Sequence, residues 1–240
     1  MKFGVSIPLT VDRNRLAAAA QAAVAASFDA VWLIEARATG VGGGLAAAAF
    51  LAQSIPIRVG VMVDGGLYHP LHMAEDIAVS DLVSGGRIEV LVRGAPDEHL
   101  RLLVAALTGT HLSFEGFELR VPAHLEANQP APDRLALNPL PAQPVVPMWV
   151  PDGSPRAREL GLGVAAEWRR GVSAPLPTGR WPGMLICPSD VEASELMEAV
   201  RGSAAYFVVG ANTPKDIATS GRRLIGPLRM PEFPDWINEQ

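Results

Sequence analysis

Ile57–Gly94, IRVGVMVDGGLYHPLHMAEDIAVSDLVSGGRIEVLVRG, reads as strand, loop, helix, turn, strand, and that order decides the fold. Ile57–Val63 is apolar and rich in β-branched residues, and Gly65-Gly66 breaks it. After His69-Pro70, apolar side chains recur at Leu71, Ala74, Ile77, Ala78 and Leu82, the spacing of a buried helix face. Ser84-Gly85-Gly86 ends that helix, because glycine tolerates the left-handed conformation just past a last turn. Arg87–Val92 is a second, nearly continuous apolar strand, with Arg93-Gly94 where it runs out. A strand buried on both faces after a helical crossover implies parallel pairing and a right-handed connection.

The same alternation extends in both directions. Lys2–Pro8 is a strand, Asn14–Ser27 an alanine-rich helix, Phe28–Glu35 a second strand and Leu45–Gln53 a small-residue helix. Beyond Gly94 come a helix at Glu98–Leu107, a proline-rich surface connection at 122–144 and a fifth strand at Pro147–Val150. Ser154–Leu160 is expected to be a short helix and Gly163–Trp168 a sixth strand. The stretch 169–180 has no helical period. Gly183–Cys187, a helix at Val191–Val200, a strand at Ala204–Val209 and a helix opening at Thr213-Pro214 and running to about Met230 complete the pattern. Eight strands alternating with helices predict an α/β (β/α)8 barrel, trimmed on one side, in a single domain over residues 1–240. An open nucleotide-binding sheet would need a glycine-rich turn after its first strand, and Pro8-Leu9-Thr10-Val11-Asp12 is not one.

Composition narrows the chemistry. Hydrophobic residues make up 49% of the 240 residues, enough for a large core, and the net charge of −5 disfavours nucleic acid and anionic membranes as partners. Lysine occurs at Lys2 and Lys215 alone, which leaves little scope for Schiff-base catalysis. The single cysteine, Cys187, lies in an apolar run and reads as a buried structural residue. The five histidines are scattered, so no metal site is expected. The first ten residues have no signal-like apolar segment and no apolar run reaches about 18 residues, so a cytoplasmic protein is expected.

His69-Pro70, Ala74, Asp81-Leu82-Val83-Ser84-Gly85-Gly86-Arg87 and Arg93-Gly94 together resemble the bacterial-luciferase-like family of flavin-dependent monooxygenases and oxidoreductases. Phe28-Asp29-Ala30-Val31-Trp32 is similar to that family's entry into strand two. Phe114-Glu115-Gly116-Phe117 is similar to a family hairpin, and Gln143-Pro144 with Val146–Val150 to its entry into strand five. The resemblance implies FMN or coenzyme F420 as cofactor, bound at the C-terminal ends of the strands, and a small organic substrate. It further implies a homodimer built through helices 45–53 and 71–83.

Several residues at strand ends are candidates on position alone. Arg93 follows an apolar strand, where a guanidinium can grip a phosphate through two parallel hydrogen bonds; it could equally pair with Asp97 or Glu98. The resemblance gives Arg93-Gly94 the phosphate role. Gly153 and Ser154 would offer backbone N–H groups and a hydroxyl to the same anion, or Ser154 could simply cap a helix ahead of Pro155. Asp152 beside them would repel a phosphate. By resemblance, Met62, Val63 and Asp64 lie where the family cups the flavin ring on a non-proline cis peptide; an ordinary strand would have that bond trans. Glu35 is the candidate acid or base, and could equally pair with a nearby arginine. Where the family carries a histidine after this glutamate the chain has Ala36, and the family's long late insertion over the substrate has no counterpart. Three readings follow: a flavin- or F420-dependent oxidoreductase or monooxygenase, a flavin-binding or partner subunit that has lost catalysis, and a barrel that serves assembly alone.

Overall fold

A computed structural model describes residues 1–9, 12–34, 43–109, 112–121, 136–169, 175, 181–200 and 205–228. Eight parallel strands close into a barrel: β1 (Lys2–Pro8), β2 (Ala30–Ile34), β3 (Arg58–Asp64), β4 (Ile88–Arg93), β7 (Met148–Pro151), β8 (Gly163–Glu167), β9 (Gly183–Cys187) and β10 (Ala205–Gly210). Closure comes where β1 pairs with both β2 and β10. Two short strands, β5 (Phe114–Glu115) and β6 (Arg120–Val121), form the expected antiparallel hairpin outside the barrel.

Helices fall close to their expected places: α1 (Arg13–Ala25), α2 (Gly43–Ser54), α3 (Pro70–Ser84), α4 (Asp97–Thr108) and α5 (Ala193–Val200). The last helix starts as α6 (Pro214–Ser220), loosens into a π-turn at Gly221–Ile225 and ends as α7 (Gly226–Leu228). Local chemistry sets these limits. His69 caps α3 by accepting Leu71 N–H on Nδ1 at 3.3 Å, Pro70 occupies the first turn, and Gly85 closes the helix at φ 69°. Thr213 and Asp216 form a reciprocal capping box on α6.

Two sequence expectations change here. Residues 154–160 form turns rather than a helix, between Gly153 and Gly161, both at positive φ. Leu160 N–H reaches Arg156 C=O, but Ser154 and Ala157 make only the shorter i→i+3 bonds, and so short a segment does not repay helix nucleation. Leu82, expected on the buried side of α3, is 43% exposed. The trimmed stretch between β8 and β9 falls largely at 170–174 and 176–180, outside the described residues.

Along each strand, side chains alternate between two cores. Val31, Leu33, Val59, Val61, Val63, Val90, Val92, Phe207 and Val209 face outward into the layer of helices. Ala30, Trp32, Met62, Leu91, Trp149, Ala165, Met184, Tyr206 and Val208 form a separate cluster inside the barrel. The interior rings take the space that glycine leaves: a Cβ on Gly60 would lie 2.2 Å from Trp32, and one on Gly163 2.3 Å from Trp149. Burying one such indole is worth about 4–6 kcal/mol from its apolar area.

At the N-terminal end of the barrel a buried polar chain ties these layers together. Trp32 Nε1–H donates to Tyr206 Oη at 2.8 Å, and Tyr206 O–H donates to Glu89 Oε2 at 2.9 Å. Glu89 Oε1 pairs with Arg58 Nε, and Arg58 Nη2 donates to Gln143 Oε1 at 2.7 Å. Gln143 then donates from its backbone N–H and its Nε2 to the fully buried carboxylate of Asp81, at 2.8 and 2.7 Å. Each buried charge in this chain has a partner, as low dielectric demands.

Candidate functional site

At the opposite, C-terminal end, β3 and β4 place Asp64 beside Arg93 in register. Glu89, Leu91 and Arg93 alternate on the inner face of β4, so the guanidinium stands above the Leu91 layer at the rim. Arg93 is half-buried and its guanidinium has no hydrogen-bond or ion-pair partner among the described residues. Asp97 and Glu98, the two acids that the sequence offered as partners, are engaged elsewhere. Asp97 lies 3.7 Å from Arg156 Nε, and Glu98 accepts the Glu118 and Leu119 N–H groups at 3.0 and 2.6 Å.

The corner beside Arg93 is tightly built. Gly65 N–H donates to Arg93 C=O at 2.7 Å and Gly66 N–H to Asp64 Oδ1 at 3.1 Å. Gly94 turns at φ 66°, and a Cβ there would come within 3.0 Å of that same carboxylate oxygen. Met62 belongs to the interior cluster and floors this corner, whereas the Val63 side chain points outward into the helix layer. Val63 can therefore offer a ligand only its backbone. The one cis peptide among the described residues is Asn138–Pro139, so Met62–Val63 is trans, the ordinary strand conformation.

Across the rim, the turn after β7 is occupied by its own acid. Gly153 N–H donates to Asp152 Oδ1 at 3.0 Å and Ser154 N–H to Pro151 C=O at 3.3 Å. The amides expected to receive an anion thus have internal partners. An incoming phosphate must displace the Asp152 carboxylate from Gly153, and Asp152 is exposed and free to swing away. Glu35 and Ala36 lie outside the described residues.

Other groups lie outside the proposed ligand set. Glu98 fastens the β5–β6 hairpin over the start of α4. Burial would raise its pKa, but the N–H groups of Leu119, Glu118 and Phe117 outweigh this and lower it. His69 is depressed by burial first, then by His72 and His99, so it stays a neutral cap. Arg15 helps line a cavity of about 380 Å³ with Ile7, Pro8, Leu16, Asn212 and Thr213, between α1 and the start of α6. Neither Arg93 nor Ser154 lines it. Only the fold brings Arg15 to the rim; nothing in its sequence neighbourhood marks it. Cys187 is buried and its thiol is pushed up to about 12, which makes it an inert core residue. Among the described residues no group of three or more His, Cys, Asp or Glu is placed to hold a metal ion, and no helix is long and apolar enough to cross a membrane.

The fold is therefore that of a (β/α)8 barrel whose candidate ligand groups stand at the C-terminal rim of β3, β4 and β7. The luciferase-like monooxygenase family model matches residues 1–97, which include the stretch where the sequence resemblance is densest. Solved structures share the fold over nearly the whole chain. The coenzyme F420-dependent tetrahydromethanopterin reductase of Methanopyrus kandleri is 13% identical with a TM-score of 0.66, covering 95% of this chain and 99% of its own. The monooxygenase RslO1 of Streptomyces bottropensis is 15% identical with a TM-score of 0.63, covering 93% and 97%. The long-chain alkane monooxygenase LadA is 14% identical with a TM-score of 0.56, covering 84% and 68%. No curated protein sequence matches the chain.

Proposed function

We propose that this protein is an oxidoreductase of the luciferase-like class that uses FMN or coenzyme F420 on a small organic substrate at the barrel mouth. The observation that carries this reading is Arg93: a half-buried guanidinium at the end of β4, on the inner face, with no partner among the described residues. An anionic ligand tail would give that guanidinium the partner it lacks among the described residues. The family match over residues 1–97 and the F420-dependent reductase among the similarly folded enzymes support the choice of ligand.

The bound cofactor would supply the redox chemistry. The chain's part is position and electrostatics. Arg93 would hold the phosphate, with the Gly153 and Ser154 amides joining once Asp152 turns outward. Met62 would floor the ring, the Val63 and Asp64 backbone would edge it, and Gly94 would keep the corner open for close approach. Glu35 is the proposed acid or base.

A second reading, a flavin-binding or partner subunit without catalysis, is favoured by Ala36 and by the Asp152 carboxylate already seated on Gly153 N–H. Titration of the purified protein with FMN and with F420, followed by supply of the reduced cofactor, separates the two. Saturable binding with turnover supports the enzyme, and saturable binding without turnover supports the subunit. No binding of either cofactor overturns both.

We also propose an isologous homodimer through α2 and α3, which pack side by side and leave Phe50, Val79, Leu82 and Val83 between 43% and 56% exposed. Light scattering should find a dimer that Leu82→Glu converts to monomer. A monomeric wild-type protein refutes this. The proposed setting is the cytoplasm, within one domain spanning residues 1–240.

A further inference from the structure

Barrels of this kind are filled mainly by Val, Ile and Leu. The interior here is filled by oxidisable rings instead. Trp32, Trp149 and Tyr206 are almost wholly buried and meet edge-on, with centroids 5.9 Å apart for Trp32–Trp149, 6.0 Å for Trp32–Tyr206 and 5.6 Å for Trp149–Tyr206. Trp181 continues the series 5.9 Å from Trp149 and is half-buried just ahead of β9, at the N-terminal end of the barrel. Rings at these separations are in contact. The series thus runs from beneath the Met62–Leu91 floor to the opposite end of the molecule.

Tyr206 differs from its neighbours in having a place to send a proton. Its O–H points at Glu89 Oε2, 2.9 Å away, while its oxygen accepts Trp32 Nε1–H. Burial and then the Glu89 charge hold the phenol well above its ordinary pKa, so it keeps its proton at rest. Loss of an electron makes a phenol strongly acidic, and the proton then has a carboxylate within hydrogen-bond reach.

We propose that Trp32, Trp149, Trp181 and Tyr206 form a one-electron relay along the barrel axis, ending on Tyr206. A strong one-electron oxidant reaching Trp181 takes an electron from its indole and leaves a radical cation, which Trp149 passes on toward Tyr206. Tyr206 returns an electron to the Trp149 indole while its O–H proton passes to Glu89 Oε2. The products are a neutral indole, a neutral tyrosyl radical and a protonated Glu89. A small-molecule reductant reaching Trp181, such as ascorbate or a thiol, returns the electron, and Glu89 returns the proton.

The test uses the protein without cofactor, so it stands apart from the proposed flavin site. Tyr68→Phe leaves Tyr206 as the remaining one of two tyrosines. This protein is photo-oxidised with tris(bipyridine)ruthenium and persulfate, freeze-quenched and read by electron paramagnetic resonance. The expected signal is a neutral tyrosyl radical that gains fluorine splitting when 3-fluorotyrosine is incorporated, a change that leaves the packing nearly intact. Adding Trp181→Phe, at a half-exposed position, should slow its appearance severalfold. An indole signal alone, or no radical, overturns the proposal. An unchanged rate with Trp181→Phe overturns it equally, because Tyr206 would then be oxidised without the relay.

Discussion

Replacing Arg93 by alanine tests the proposed phosphate grip most directly. Hydrogen bonds to charged groups are worth about 1.5–3 kcal/mol, which corresponds to roughly 10- to 150-fold in affinity. Arg93 is half-buried rather than sealed, so the lower end applies and about tenfold weaker FMN or F420 binding is expected. Arg93→Lys keeps the charge but loses the planar fork, and should fall between wild type and alanine. Asp152→Asn acts in the opposite direction. It removes an exposed negative charge that holds Gly153 N–H, and at about 1 kcal/mol for a solvent-screened contact it should tighten binding about fivefold. Isothermal titration of the four proteins, with the double mutant, completes a cycle whose coupling term reports whether both groups address one phosphate. Since the Arg93 guanidinium has no partner among the described residues, its loss should move the urea-unfolding free energy by less than about 0.5 kcal/mol, which separates a binding defect from a folding defect. Affinity for Arg93→Ala within about twofold of wild type refutes the reasoning; so does weaker binding by Asp152→Asn.

Gly60→Ala should destabilise by about 2–4 kcal/mol in urea unfolding, because ring atoms of Trp32 lie 2.2–2.5 Å from the new Cβ and the ring must leave Tyr206 to make room; an unchanged midpoint contradicts this packing. Glu98 has a lowered pKa in the fold, so its contribution is full above the unfolded value of about 4.3 and is lost as pH falls through the folded one. Hydrogen exchange at the Glu118 and Leu119 amides, corrected for intrinsic rates, should therefore quicken in that acid range for wild type and show no such step in Glu98→Gln. Asp81→Ala leaves the Gln143 backbone N–H, one of its two Nε2–H groups and Ile88 N–H without the Asp81 acceptor, at a cost of about 3 kcal/mol or more. Cofactor affinity per folded molecule should be unchanged in that variant, and a selective loss of affinity would contradict the assignment of Asp81 to the scaffold.

What the sequence makes legible is the alternation of strands and helices, because that signal is local. Pro70, Gly85 and Thr213-Pro214 mark helix ends through their own backbone preferences, and the eight barrel strands lie within a few residues of their expected spans. The failures are non-local. The turn after β7 looks helical in composition, but Gly153 and Gly161 take positive φ at its two ends. Leu82 fits the helical period, yet whether that side of α3 is covered depends on what packs there. Nothing in the sequence announced the chain from Trp32 through Tyr206 and Glu89 to Arg58, whose links span 174, 117 and 31 residues. The most legible motif also proves to be the least informative about chemistry. Asp81, Ser84, Gly85, Gly86 and Arg87 carry much of the family resemblance, and with Gln143 they form one hydrogen-bonded knot at the N-terminal end of the barrel. Asp81 accepts Gln143, Ser84 Oγ bonds Asp81 C=O, and Arg87 Nε bonds Ser84 C=O. In barrels of this architecture that end governs stability, while ligands are met at the other. The resemblance therefore specifies how the chain closes its barrel far better than what the mouth does. Arg93, Gly94 and Asp152 are where a substitution can separate retained function from retained fold.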